Sequence, residues 1–181
     1  MSGSSSSCSM TCTGNFTPWA ELKSVTSDTN KTQATVEFTY SWIQAGTLAA
    51  DHTTGGSQTC VELKDHMDNS VTNAEFKEDI REALTVWKSA FEDLCPWLTL
   101  TFTEKGDEAA GAPSSDNNGG NYSIDPSGQY PSVGDLRFGM HSLGGTTPNI
   151  LAHGYQPSGS LGVTGSVGGD THFDSQDDWR L

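Results

Sequence analysis

Hydrophobic and polar positions alternate over residues 35–42: Val36, Phe38, Tyr40 and Trp42 fall on one face, Thr35, Glu37, Thr39 and Ser41 on the other. A period of two in β-branched and aromatic residues predicts a half-buried strand. Residues 44–70 hold a Gly-Gly pair, His52, His66 and scattered acids, and read as a long connection. The period then changes. Phe76, Ile80, Ala83, Leu84, Trp87, Phe91 and Leu94 recur at three- and four-residue spacing, which predicts one helix with a single core-facing stripe. Thr72 with Glu75 forms a capping box at its start, Val71 and Phe76 fit a hydrophobic staple, and Pro96 stops it. Alternation returns at Leu98–Phe102 as a second strand. Glu104–Ser132 is poor in apolar residues and reads as a long loop. A third strand is expected near Asp135–Met140 and a fourth near Ile150–Tyr155, with the Gly/Pro-containing turn Ser142–Asn149 between them. Gly159–Gly169, with five glycines, leads into a last extended stretch.

This order of elements predicts an α/β (α+β) domain: a twisted, mixed but mostly parallel sheet with one long packed helix. The crossover from the first strand through the helix to the second is expected to be right-handed. A chain of 181 residues is long enough for one domain with a real core. Residues 1–32, rich in Ser, Thr and Gly, read as a mobile N-terminal arm, and 33–181 as the folded unit. The chain has 23 acids against 9 bases, a net charge of −14; from Ala90 onward twelve acids face only Lys105, Arg137 and Arg180. Such a surface repels nucleic acid and anionic membranes, so neither is expected as a partner, whereas cations are attracted. Cys8, Cys12, Cys60 and Cys95 allow three full pairings, which sequence cannot rank. No apolar run approaches membrane-spanning length, and the polar start is not expected to act as a signal peptide.

Candidate chemistry concentrates in Asp170–Asp178, which packs Asp170, Asp174, Asp177, Asp178 and His172 into nine positions behind Gly168-Gly169. In an extended segment Asp170, His172 and Asp174 point one way, and Thr171 and Phe173 the other. Carboxylates suit calcium and imidazole suits zinc, so one short strand could serve both ions. His141, His153 and His172 follow one another on successive elements, and three converging imidazoles are a common zinc site.

The segment Gly168-Gly169-Asp170-Thr171-His172-Phe173-Asp174, with Asp177 and Trp179 behind it, resembles the metal-binding segment of matrixin-type (metzincin) zinc metalloproteinases. Leu151–Pro157 resembles that family's preceding zinc-ligand strand, Gly134–Phe138 its Asp-hydrophobic-x-hydrophobic strand, and Val86-Trp87 a pair on its first long helix. The likeness covers roughly residues 33–181 and corresponds to the upper subdomain of that catalytic domain. It implies a structural zinc on His141, His153 and His172. It implies one calcium on Asp174 and Asp177, with carbonyls of the 144–149 turn. A second calcium is implied between Asp135, Ser166, Gly168 and Asp170. The family's aspartate ligand two places after the first histidine is replaced here by Leu143, which makes His141 the least conforming of the three.

Peptide hydrolysis by this chemistry needs His-Glu-x-x-His, and the five histidines here include no His-x-x-x-His, so no catalytic residue is assigned. The expectation is the N-terminal part of a matrixin-like zinc- and calcium-binding metalloendopeptidase, inactive as it stands, with the catalytic helix expected beyond Leu181. The alternative is a non-catalytic, metal-stabilised structural or binding module, for example a virion or surface-assembly component. Either implies an extracellular or surface-associated setting. With a single helix to cover a two-faced sheet, an assembly partner or second subunit is expected over the bare sheet face.

Overall fold

The computed structural model describes residues 34–50, 57–108, 134–143, 150–155 and 169–179. In chain order the elements are β1 (Ala34–Trp42), β2 (Leu48–Ala50), β3 (Ser57–Thr59), helix α1 (Asn73–Leu94), β4 (Leu98–Asp107), β5 (Leu136–His141), β6 (Ala152–Gly154) and β7 (Asp170–Asp174). Five strands form one sheet in the order β4-β1-β5-β7-β6; β1 runs parallel to β4 and β5, β5 parallel to β7, and β6 antiparallel to β7. The expected mixed, mostly parallel α/β sheet with one long helix is therefore present. The N-terminal arm, most of the long loop and the Gly-rich approach (Ser166 and Gly168 included) lie outside the described residues, as does the 144–149 turn.

Helix α1 begins where its capping signals put it. Thr72 accepts from the Glu75 N–H while the Glu75 carboxylate accepts from the Thr72 N–H, so two orphan donors of the first turn are satisfied together. Val71 and Phe76 are both buried in the main apolar cluster, with Tyr40, Trp42, Ile80, Phe138 and Met140. The even-numbered face of β1 meets the helix side, as alternation requires. Phe173 and Trp179 close over Phe76, with edge-on ring contacts at centroid distances of 5.1 and 5.5 Å. Beneath the far end of the helix, Val36, Phe38, Cys95, Leu98 and Leu100 form a second cluster.

Two expectations need correction. The stretch 44–70 is more than a connection: β2 and β3 pair as a small antiparallel hairpin, and Val61 bridges to Met140. Strands of three residues are too short to show a period. This segment also packs against the second face of the sheet, where Ile43, Ala49 and Cys60 make a cluster of their own. A Cβ on Gly139 would lie 2.9 Å from Ile43 Cδ1, 3.2 Å from Ile43 Cβ and 3.4 Å from Cys60 Sγ, so a side chain here would have to displace Ile43. The helix-remote side chains Ser41, Arg137, His141, Asp170, His172 and Asp174 are all buried. Over β5 and β7 that face is covered, whereas along β1 and β4 the exposed Thr35, Glu37, Thr99 and Thr103 leave it open and polar.

The open apolar surface lies on α1 instead. Trp87 and Leu94, read from sequence as core stripe, are 67% and 68% exposed, and Val86 is 67% exposed. With Ala83 and Ala90, also exposed, they line a second stripe beside the one that packs. Helical periodicity counts apolar positions but does not say how wide an arc the sheet will cover. Trp87→Glu should lower binding of a hydrophobic dye and any concentration-dependent light scattering, while changing stability by no more than about 0.5 kcal/mol. A larger loss of stability would show that Trp87 is packed in solution.

The cysteines resolve in part. Cys60 is a free, buried thiol whose burial pushes its pKa up to about 12, so it is a poor nucleophile; Cys95 is disulfide-bonded. A scheme pairing all four cysteines is thereby excluded.

Candidate metal centre

Strand register assembles the site. β5 and β7 pair with His141 opposite Asp174, Gly139 opposite His172 and Arg137 opposite Asp170; β6 then sets His153 opposite His172. Because alternate side chains share a face, His141 and His172 emerge on the side away from α1, and His153 joins them from the edge strand. Gly139, opposite His172, has no side chain, and Ile43 and Cys60 pack against the backbone there.

His172 Nδ1 lies 3.1 Å from His141 Nε2 and 3.0 Å from His153 Nε2. These three ligand atoms all lie within 4.8 Å of one another. Nitrogens around a tetrahedral zinc at about 2.0–2.1 Å would be separated by about 3.3 Å, so the cluster has the size of a zinc site. His141 Nδ1 is 3.0 Å from the Ser142 carbonyl; a proton on Nδ1 donates there, leaving the Nε2 lone pair facing its neighbours. One proton on His172 Nδ1 cannot point along two such contacts at once. A metal ion accepts all three lone pairs. His141 and His172 are fully buried, and the Tyr155 ring packs edge-on to His153 and near His172, with centroids at 5.1 and 5.7 Å.

The acidic residues divide into different roles. Asp174 Oδ1 accepts from the N–H groups of Leu143 and Gln176, each at 3.0 Å, and its carbonyl accepts from Trp179 Nε1 at 2.7 Å. It therefore locks the exit of β7 to the exit of β5. Asp177 stands near it: burial and the Asp174 charge together push the Asp177 carboxyl above its ordinary value. Asp135 Oδ2 accepts from both the N–H and the hydroxyl of Thr39, each at 2.8 Å, and so pins β5 to β1.

Asp170 is paired inside the protein. Its Oδ2 lies 3.3 Å from Arg137 Nη1, while Glu108 takes Arg137 Nε and Nη2 at 2.7 Å each. The Arg137 and Glu108 side chains are no more than 1% exposed, and Asp170 is fully buried. Ser41 donates to Glu108 and accepts from the Gly134 N–H, which ties this network to β1. Of the second calcium set read from sequence, the two described side chains, Asp135 and Asp170, are thus engaged by Thr39 and by Arg137. Ser166 and Gly168, the other members of that set, lie outside the described residues.

Arg137 and Glu108 were not singled out from the sequence. The available signal was Arg137 as the one base between Lys105 and Arg180, on the same strand face as His141. A further carboxylate cluster, Asp65, Asp68 and Asp178, also escaped notice. There Asp65 is fully buried; burial raises its pKa, but the Met67 N–H and the Ser70 hydroxyl outweigh this and hold it at about 2.

A further carboxylate contributes to acid behaviour. Glu104 accepts from Arg81 Nε at 2.8 Å and Nη2 at 3.0 Å, from Trp42 Nε1 at 2.6 Å and from the Tyr40 hydroxyl at 3.0 Å. The Arg81 bonds above all lower its pKa from the ordinary 4.5 to about 2. A depressed carboxylate stabilises the fold above its unfolded pKa, and this contribution is lost as pH falls from about 4.5 toward 2. Glu104→Gln should therefore cost stability at neutral pH, with the difference from wild type closing by about pH 2 in urea titrations. A pH-independent difference would contradict the assignment.

Comparison with protein families, with curated proteins and with solved structures returned no match. Among the described residues no helix is long and apolar enough to cross a membrane.

Proposed function

We propose that this chain is a zinc-organised α/β unit of the matrixin-like type, in which His141, His153 and His172 hold a structural Zn²⁺ that joins β5, β6 and β7. The carrying observation is the contact of His172 Nδ1 with both neighbouring Nε2 atoms at 3.0–3.1 Å, three imidazole donors from three strands at one point. β6 has only three residues, so an ion that ties it to β7 and β5 adds order where pairing is shortest. A calcium ion on Asp174 and Asp177 belongs to the same proposal. A second calcium beside Asp135 and Asp170 stays part of the proposal, with Arg137 already beside one Asp170 oxygen.

Peptidase activity belongs to the proposal only as a property of a larger assembly: the chain's residues include no His-Glu-x-x-His. Elemental analysis of the purified chain should return about one zinc per chain. Chelation should lower the melting temperature, and zinc should restore it by linkage, with calcium adding a smaller increment. A melting curve indifferent to EDTA, together with no bound zinc, would sink the reading.

A further inference from the structure

Three imidazoles leave a tetrahedral zinc one ligand short, and a fourth position without a protein donor is the mark of zinc sites that bind water or substrate. In this chain no aspartate, glutamate or cysteine occurs between His141 and Asp170, and His153 is the single histidine there. The turns on either side of β6 therefore contain no carboxylate, thiolate or further imidazole. Two places beyond His141, where the resemblance implies an aspartate ligand, stands Leu143. Its side chain is 1% exposed, and its N–H is spent on Asp174 Oδ1 at 3.0 Å.

Asp174, the carboxylate opposite His141 in the strand register, has that oxygen held by two main-chain N–H groups. Among the described residues, the ligand atoms that converge with these nitrogens are the three histidines alone. Charge points the same way. Three neutral imidazoles leave the ion's double positive charge uncompensated, which favours an anion or a polarised water at the open position. His153, on β6 at the edge of the described sheet, is half-buried where His141 and His172 are buried.

We infer that the zinc held by His141, His153 and His172 keeps an exchangeable fourth position, filled by water at rest and open to small monodentate anions. This rests on the zinc reading above. The natural ligand class is a compact anion or neutral oxygen donor small enough to reach a metal flanked by His153 and Tyr155.

Cobalt(II) substitution tests it, because the visible bands of four-coordinate Co²⁺ report every change of ligand. Titration of the Co²⁺ form with azide, and separately with thiocyanate, should shift those bands along a saturable one-to-one curve. Leu143→Asp, which supplies the carboxylate, should bind Co²⁺ and lose the anion response. Tyr155→Phe should leave the anion-free spectrum unchanged. If the chain binds Co²⁺ at one equivalent but azide and thiocyanate leave the spectrum untouched, the fourth position is occupied by protein. The zinc reading then survives and this inference does not. A changed anion-free spectrum in Tyr155→Phe would identify the phenol as that ligand, with the same consequence. A chain that takes up neither zinc nor cobalt overturns both. Should Leu143→Asp fail to fold, the wild-type titration decides alone.

Discussion

His172→Ala should abolish zinc binding and lower the melting temperature of the zinc-loaded chain by on the order of 10 °C. His172 is the shared member of the cluster: its Nδ1 meets both His141 Nε2 and His153 Nε2, whereas those two rings meet only edge-on at a centroid distance of 5.9 Å. Two remaining imidazoles on different strands hold zinc poorly. A ligand at a thousandfold excess over its dissociation constant stabilises by about 4 kcal/mol. At about 2–4 °C per kcal/mol for a chain of this size, that gives the expected shift. Elemental analysis and melting curves with and without zinc measure the two effects separately. His153→Ala should behave alike. His141, the least conforming by sequence, is fully buried and as close to His172 Nδ1 as His153 is, so its alanine variant should also lose affinity. Full zinc occupancy in His172→Ala would place the metal elsewhere.

Arg137→Met should cost about 3–5 kcal/mol, because it leaves the Glu108 and Asp170 carboxylates buried with no cation. Against a total of about 5–15 kcal/mol for a domain, that is enough to unfold a marginal protein. Removing the orphaned charges as well, in Arg137→Met with Glu108→Gln and Asp170→Asn, should recover a large part of the loss. Breaking an ion network costs more than replacing it by neutral groups. Urea midpoints of the single and triple variants make the comparison. A loss below about 1 kcal/mol in Arg137→Met would mean that water reaches these carboxylates in solution.

Sequence by itself determined the features whose causes are local. The capping box and staple set the start of α1 because their partners are three to five residues apart, within one turn of helix. Alternation assigned Phe38, Tyr40 and Trp42 to one face and separated Asp170, His172 and Asp174 from Phe173, because side-chain direction in a strand is fixed by parity. The three histidines were legible for the same reason. Each lies on a strand of known parity, so only the pairing of those strands was needed to bring them together.

Tertiary structure decided what parity cannot express. A period tells which side chains share a face, not what covers that face. Trp87 and Leu94 therefore belonged to an apolar stripe by spacing yet lie open, since the sheet spans only part of the helix circumference. The second sheet face is covered over β5, where Ile43 and Cys60 pack at Gly139 from a segment too short-stranded to show a pattern, and is open and polar along β1 and β4 at Thr35, Glu37, Thr99 and Thr103. The partners of the acids depended on the strand order β4-β1-β5-β7-β6. Setting β5 beside β7 places Arg137 against Asp170, and the end of β4 brings in Glu108 from 29 residues away. Asp170 reads in sequence as an ion ligand, and only the fold shows that the neighbouring strand also sets the Arg137 guanidinium beside its buried carboxylate.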